Sequence, residues 1–167
     1  MILALALSAG AARAQAVGST PAAEAASSPV LSGLAITATL ATGGEAGMAS
    51  GKSGLLELEL AGGWEHEPTR LRPELAVAFG VAPAATLALR PGLRAGLAEA
   101  PIWLRAALDF STARRHGLHA RWVLFGGAWE LRLNSVLAFD LGLDFGIPMA
   151  RSAGVPILLR AGGTFRL

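Results

Sequence analysis

The sequence predicts an all-β chain that closes into an eight-stranded antiparallel up-and-down transmembrane β-barrel. Three observations lead there. The chain is too apolar for an ordinary soluble domain yet holds no helical span. Its apolar residues recur with a period of two, and the charged residues of each strand fall on the opposite parity.

Of 167 residues, 53% are hydrophobic and only 16% are charged, and the mean hydropathy is +0.50. A membrane helix needs about 18 or more consecutive apolar residues. The uncharged stretch from Ala25 to Gly44 is broken by Ser27, Ser28, Pro29, Ser32, Gly33, Thr37 and Thr39, and the stretch from Leu75 to Leu89 carries Gly80 and Pro83. Only helices and closed barrels satisfy every backbone group in lipid, so a barrel is the remaining solution. Cysteine is absent, which excludes a disulfide framework, thiol chemistry and zinc sites built on cysteine. The formal charge is +2, and the longest basic run is Arg114-Arg115, so a nucleic-acid partner is not expected.

Residues 1–16 read as a signal peptide: a short apolar run, Met1 to Leu7, then Ala14-Gln15-Ala16 as an Ala-x-Ala cleavage site. No Lys or Arg precedes the apolar run. Residues 17–29, rich in Ser, Ala, Pro and Thr, read as an unstructured lead-in. The barrel domain is expected over 30–167.

From Val30 onward the rhythm is two. The first strand alternates near Leu34 to Leu40. Leu56, Leu58, Leu60 and Trp64 oppose Glu57, Glu59 and Ala61. Leu71, Leu75, Val77 and Phe79 oppose Arg72, Glu74, Ala76 and Ala78. Leu87, Leu89 and Leu93 oppose Arg90 and Arg94; Ile102, Leu104 and Leu108 oppose Trp103, Arg105 and Asp109. The segment 118–133 keeps phase only with one residue inserted near Gly126-Gly127, where a β-bulge is expected. That phase puts Trp122 on the apolar face with Trp64, Phe110, Phe145 and Phe165, as an aromatic girdle. The Asn134-Ser135 pair then reads as a tight hairpin into Leu137, Phe139, Leu141, Leu143 and Phe145. The last strand sets Ile157, Leu159, Ala161, Gly163 and Phe165 against Leu158, Arg160, Gly162, Thr164 and Arg166. Connections are expected at 43–53, 65–69, 81–84, 96–100, 112–117, 134–135 and 148–154. An even strand count puts both chain ends on one side, the periplasmic side of a bacterial barrel.

The charges give the third observation. Glu57, Glu59, Glu74, Asp109, Glu130, Asp140 and Asp144 fall opposite the Leu/Phe stripe, as do Arg72, Arg90, Arg94, Arg105, Arg121, Arg132, Arg160 and Arg166. These fifteen residues are the candidate lumen ion-pair network. A soluble β-sandwich or lipocalin-like barrel also alternates. Lipid is favoured because the charged face is otherwise filled by small residues such as Ala76, Ala78, Ala107, Gly142 and Gly162. These leave room for ion pairs in a tube only wide enough for side chains.

The C-terminal run Ile157 to Leu167 resembles the terminal strand of outer-membrane β-barrel proteins, in which alternate apolar residues and a terminal aromatic signal to the barrel-assembly machinery. Here Phe165 and Leu167 occupy that pattern, with leucine as the final residue. The run Glu130 to Leu143 is similar to the recurring hairpin of small outer membrane β-barrel domain proteins. The resemblance implies an outer-membrane location, barrel assembly and a lipid bilayer as partner, and carries over no catalytic residue.

Candidate chemistry is sparse. Glu65-His66-Glu67 is explained by a solvated hairpin tip, without a metal. His116 and His119 neighbour Ser111, Thr112 and Asp109, and some eight-stranded barrels modify lipid A, yet no spacing here sets a nucleophile beside a base. Gly44 lies too far from Gly51, and Gly47 too near, for a phosphate loop ending in Lys52-Ser53, so a flexible loop between strands is expected. Arg114, Arg115 and Arg151 would put positive charge on outer loops, within reach of lipopolysaccharide phosphates. The expected function is that of a monomeric, closed, ion-paired barrel with a structural or loop-mediated envelope role, without catalytic residue, cofactor or metal. A narrow ion-conducting pore, a lipid-modifying enzyme and a soluble periplasmic barrel binding an apolar ligand are the alternatives.

Overall fold

The computed structural model describes residues 33–47, 51–98, 100–112, 117–149 and 153–167. The expected signal peptide and lead-in, the first three residues of the expected barrel, Arg114, Arg115, His116 and Arg151 lie outside them.

Eight strands follow one another: β1 Gly33–Gly47, β2 Gly51–Glu65, β3 Leu71–Ala82, β4 Thr86–Gly96, β5 Ile102–Ser111, β6 His119–Arg132, β7 Leu137–Pro148 and β8 Val155–Arg166. Each pairs antiparallel with its neighbours in sequence, and β8 returns to β1 to close the barrel. Closure leaves no sheet edge. The β2–β3, β4–β5 and β6–β7 connections share one end with the chain terminus Leu167, here called the terminal end; the other connections lie at the far end.

The alternation in the sequence becomes a division of inside from outside. Leu58, Leu60, Leu75, Phe79, Leu104, Leu141, Leu143, Leu159 and Phe165 are exposed on the outer wall. Among the described side chains no outward strand position is charged. The inside-out arrangement excludes the soluble alternative's dry apolar interior. No helix among the described residues is long and apolar enough to cross a membrane.

Four features depart from the sequence reading. The connection expected at 43–53 is mostly strand: Gly44 pairs with Gly54, and the first hairpin zips as far as Gly47 opposite Gly51. This replaces the flexible loop expected there. The bulge expected at Gly126-Gly127 is instead at Arg121, because Asp109 pairs with Trp122 while Phe110 pairs with Ala120. A second irregularity, at Val81, lets Leu56 pair with Ala82 and Glu57 with Gly80. Finally, the β6–β7 turn spans Leu133 to Val136, where Asn134 Oδ1 accepts hydrogen bonds from the amides of Val136 (2.8 Å) and Leu137 (2.7 Å).

The ladder between β4 and β5 is interrupted once. Pairing runs through Leu89 opposite Phe110 and resumes at Gly92 opposite Ala107, skipping Arg90 and Pro91. Proline has no N–H to donate, and the Arg90–Asp109 side-chain bond, 2.6 Å on the inner side, spans the gap.

Candidate functional site

An eight-stranded bore is just wide enough for side chains to fill it, and every strand delivers at least one charged group into it or its mouths. Of the fifteen predicted residues, Glu57, Glu59, Arg72, Glu74, Arg90, Arg94, Arg105, Asp109, Glu130, Asp140, Asp144, Arg160 and Arg166 are buried there. The other two stand at the mouths: Arg121 has a side chain 18% exposed and Arg132 one 49% exposed.

At mid-bore the pairs converge on Glu59. Its carboxylate accepts from Arg90 Nη1 at 2.9 Å, Arg105 Nη2 at 3.0 Å and Arg160 Nη2 at 2.5 Å. Arg90 also bonds Glu57 (2.7 Å) and Asp109 (2.6 Å). Arg105 also bonds Glu74 and Asp144, each at 2.8 Å. Planar guanidinium with five donors suits this sharing, since one arginine can serve three carboxylates at once. Small residues make the room. A Cβ on Gly126 would lie 1.9 Å from Asp144 Oδ1, and one on Gly162 would lie 2.6 Å from Thr39 Cγ2.

Toward the terminal end, Arg94 Nε lies 2.7 Å from Glu74, though out of line for a directed hydrogen bond, and its Nη1 lies 3.8 Å from Asp140. Arg166 joins Glu65 (3.0 Å) and Glu130 (2.6 Å). Arg72 reaches Glu65 at 3.5 Å, and Arg132 reaches Glu65 at 3.4 Å and Glu130 at 3.5 Å. Asp140 accepts from the hydroxyl of Thr164, which in turn meets Thr37 at 2.9 Å. The guanidiniums of Arg70 and Arg72 lie 5.2 and 5.0 Å from the ring of Trp103. Arg70 is held by the carbonyls of Leu97 (3.2 Å) and Ala100 (3.1 Å), so it ties the β2–β3 turn to the β4–β5 turn.

The far end is built differently. Trp122, Leu55, Ala107, Leu124 and Leu158 form an apolar cluster inside the mouth, against which Ala153 packs. Trp122 Nε1 donates to the carbonyl of Gly154 (2.9 Å), and the Gly154 amide donates to Glu45 (2.6 Å). Glu45 also pairs with Arg121, whose guanidinium lies 3.7 Å from the Trp122 ring centroid. The expected placement of Trp122 on the outer girdle is therefore corrected. With the bulge at Arg121, Trp122 and Leu124 take the inward parity and Val123 and Phe125 the outward one. The stripe argument failed because the bore itself turns apolar at this level.

Glu45 and Glu65 were missed, having been placed in connections. Both continue their strands' inward parity, Glu45 after Thr39, Ala41 and Gly43, and Glu65 after Glu59, Ala61 and Gly63. Extending the alternation would have found them. Of the histidines described, His66 meets Thr69 Oγ1 at 2.9 Å within its turn, and His119 is exposed at the far mouth, opposite Ser111 in the ladder. Phe165 and Leu167 are exposed at the terminal rim.

No protein-family model and no curated protein matches the sequence. Solved structures do. The chain is similar to Neisserial surface protein A, with a TM-score of 0.56 and 14% identity over 81% of this chain and 98% of that one. It is also similar to a structure from the de novo design of transmembrane β-barrels, with a TM-score of 0.54 and 11% identity over 81% of this chain and 96% of that one. At such identities the likeness is one of fold, and the fold is that of an eight-stranded transmembrane β-barrel.

Proposed function

We propose that this protein resides in a bacterial outer membrane as a monomeric barrel with a closed, ion-paired lumen, and that it acts through its loops or as a stabilising element of the envelope. One observation carries the reading: among the described side chains the outward strand positions are uncharged, while the inward ones hold arginines and carboxylates in mutual contact. A single arginine at mid-depth in lipid costs about 2–4 kcal/mol, so this parity fits a wall facing hydrocarbon. The solved neighbour described as a surface protein supports an envelope location.

The knot around Glu59 supports closure, together with the Trp122 cluster at the far mouth and the Trp103 stack at the terminal one. The reading assigns no catalytic residue, no cofactor and no metal. Its partners are the lipid bilayer, the barrel-assembly machinery reading Phe165 and Leu167 at the exposed terminal rim, and lipopolysaccharide phosphates at Arg114, Arg115 and Arg151. Planar-bilayer recording of the purified chain tests the closed lumen: no single-channel steps are expected, and sizeable steps would reject it. Cell fractionation tests the location, since recovery in the aqueous periplasm would end the membrane reading.

A further inference from the structure

We infer that the terminal end of the bore holds a site for a small monovalent anion of halide size, built from Arg72, Arg94 and the indole N–H of Trp103. The inference goes beyond the closed-lumen reading and does not depend on whether the bore conducts.

Strand pairing sets three arginines side by side: Arg72 on β3 faces Arg94 on β4, which faces Arg105 on β5. Like charges directly opposite are destabilising unless something compensates them. The compensation is uneven. Arg105 has three carboxylates within 3.0 Å. Arg94 has one close carboxylate, Glu74. Among the described residues Arg72 pairs only with Glu65, at 3.5 Å, and Glu65 also serves Arg132 and Arg166.

Arg72 is 1% exposed. Among the described residues, none of its three guanidinium nitrogens finds a hydrogen-bond partner. The same holds for Nε and Nη2 of Arg94 and for Nε1 of the fully buried Trp103. All of these atoms are donors, and buried donors without acceptors are costly. A contrast nearby indicates what would satisfy them. A void of about 10 Å³ between Thr39, Arg94, Asp140 and Arg160 is bordered by residues with atoms of both kinds, Arg160 Nε as donor and Asp140 Oδ1 as acceptor. A water suits that mixture. Around Arg72, Arg94 and Trp103 the unmet donors outnumber the unmet acceptors of the neighbouring carboxylates, Glu130 Oε2 and Asp140 Oδ1, by six to two, and a species that accepts from several donors suits that excess.

The neighbouring carboxylates Glu65, Glu74, Glu130 and Asp140 limit the occupant to one negative charge. The depth limits it to a small ion. Entry is from the terminal end, where a hollow of about 510 Å³ is lined by Glu65, Arg70, Glu130 and Arg132 among others. Arg70 lies against the same Trp103 ring as Arg72, which places the wall of the hollow one ring away from the site.

The test uses the full chain refolded in detergent micelles. Thermal unfolding is compared in sodium chloride and in sodium gluconate at equal ionic strength, and crystals grown in sodium bromide are examined for anomalous scattering. Chloride should raise the melting temperature with a saturable dependence, and a bromide peak should lie between Arg72 and Arg94. Arg72→Met should abolish the chloride-dependent shift. Trp103→Phe, which keeps the ring and removes the N–H, should raise the half-saturating chloride concentration several-fold, and it decides the matter if Arg72→Met does not fold. Equal melting in the two salts, or an ordered water in place of bromide, would overturn the site.

Discussion

Replacing Glu59 by Gln separates two explanations of the bore by the sign of the effect. Among the described residues the ion pairs of the bore and its mouths engage nine carboxylates, Glu45, Glu57, Glu59, Glu65, Glu74, Asp109, Glu130, Asp140 and Asp144. Against them stand eight guanidiniums: Arg72, Arg90, Arg94, Arg105, Arg160 and Arg166 within, and Arg121 and Arg132 at the mouths. If overall charge balance governed stability, Glu59→Gln would bring eight against eight and stabilise the barrel. Geometry predicts the reverse. Arg90 would keep Glu57 and Asp109, and Arg105 would keep Glu74 and Asp144, but Arg160 would be left with Asp144 and Thr39, each at 3.3 Å. Removing one partner of a buried pair costs about 3–5 kcal/mol. The amide retains the shape and one acceptor, so the low end, about 3 kcal/mol, is expected, or roughly a hundredfold in the ratio of folded to unfolded barrel. Urea unfolding of the refolded protein, followed by tryptophan fluorescence, measures it. Arg132→Gln at the half-exposed rim is the control and should cost no more than about 1 kcal/mol. A Glu59→Gln barrel as stable as the control, or more stable than the parent, would refute the geometric account.

Three further outcomes follow from the same structure. Leu141→Arg, at mid-height on the outer face of β7, should cost about 2–4 kcal/mol in lipid vesicles, whereas Ile147→Arg near the rim should cost about 0–1; equal costs would contradict a lipid-facing wall. Pro91→Ala should restore the missing β4–β5 ladder bond, adding about 0.5–1.5 kcal/mol and a new slowly exchanging amide at position 91 in hydrogen exchange. Trp122→Ala should cost about 3–5 kcal/mol through the cavity it leaves and weaken the hold on Gly154, yet bilayer recordings should stay silent because the Glu59 knot still fills the bore.

Strand number, order and inward parity were legible because a charge and a leucine cannot exchange faces without a penalty that every strand repeats. Legibility failed where that penalty vanishes. At the far end the bore accepts Leu55, Trp122, Leu124 and Leu158 as readily as the outer wall accepts leucine, so parity there carries no signal, and the bulge was placed five residues late in β6. The strand ends were read short for a related reason. Gly43-Gly44 and Gly62-Gly63 look like breakers, yet in this barrel Gly43 and Gly63 sit where a Cβ would lie 1.9 Å from the Ile157 carbonyl and 2.6 Å from that of Pro73. Those glycines mark close approach of neighbouring strands; mistaking Gly43-Gly44 for the start of a loop cost Glu45, and ending the second strand at Trp64 cost Glu65. Which guanidinium meets which carboxylate was beyond the sequence, because partners such as Arg160 and Glu59 stand on strands that are not adjacent and meet only across the closed bore.

The ion pairs are better understood as fixing register than as supplying stability. Buried pairs often contribute no more than well-packed apolar groups of the same volume, and a bore filled with leucine would serve a closed barrel as well on that count. Such a barrel would have nothing to distinguish its inside from its outside. A slip of one residue flips every side chain of a strand. In β4 it would turn Arg90 and Arg94 into lipid and Leu89 and Leu93 into the bore, at about 2–4 kcal/mol for each arginine near mid-depth, besides stranding Glu57, Glu74 and Asp109 within. The glycines belong to the same device. Gly126 and Gly162 leave space only when opposite Asp144 and Thr39, so a shifted strand would bring a bulky residue against the very groups they accommodate.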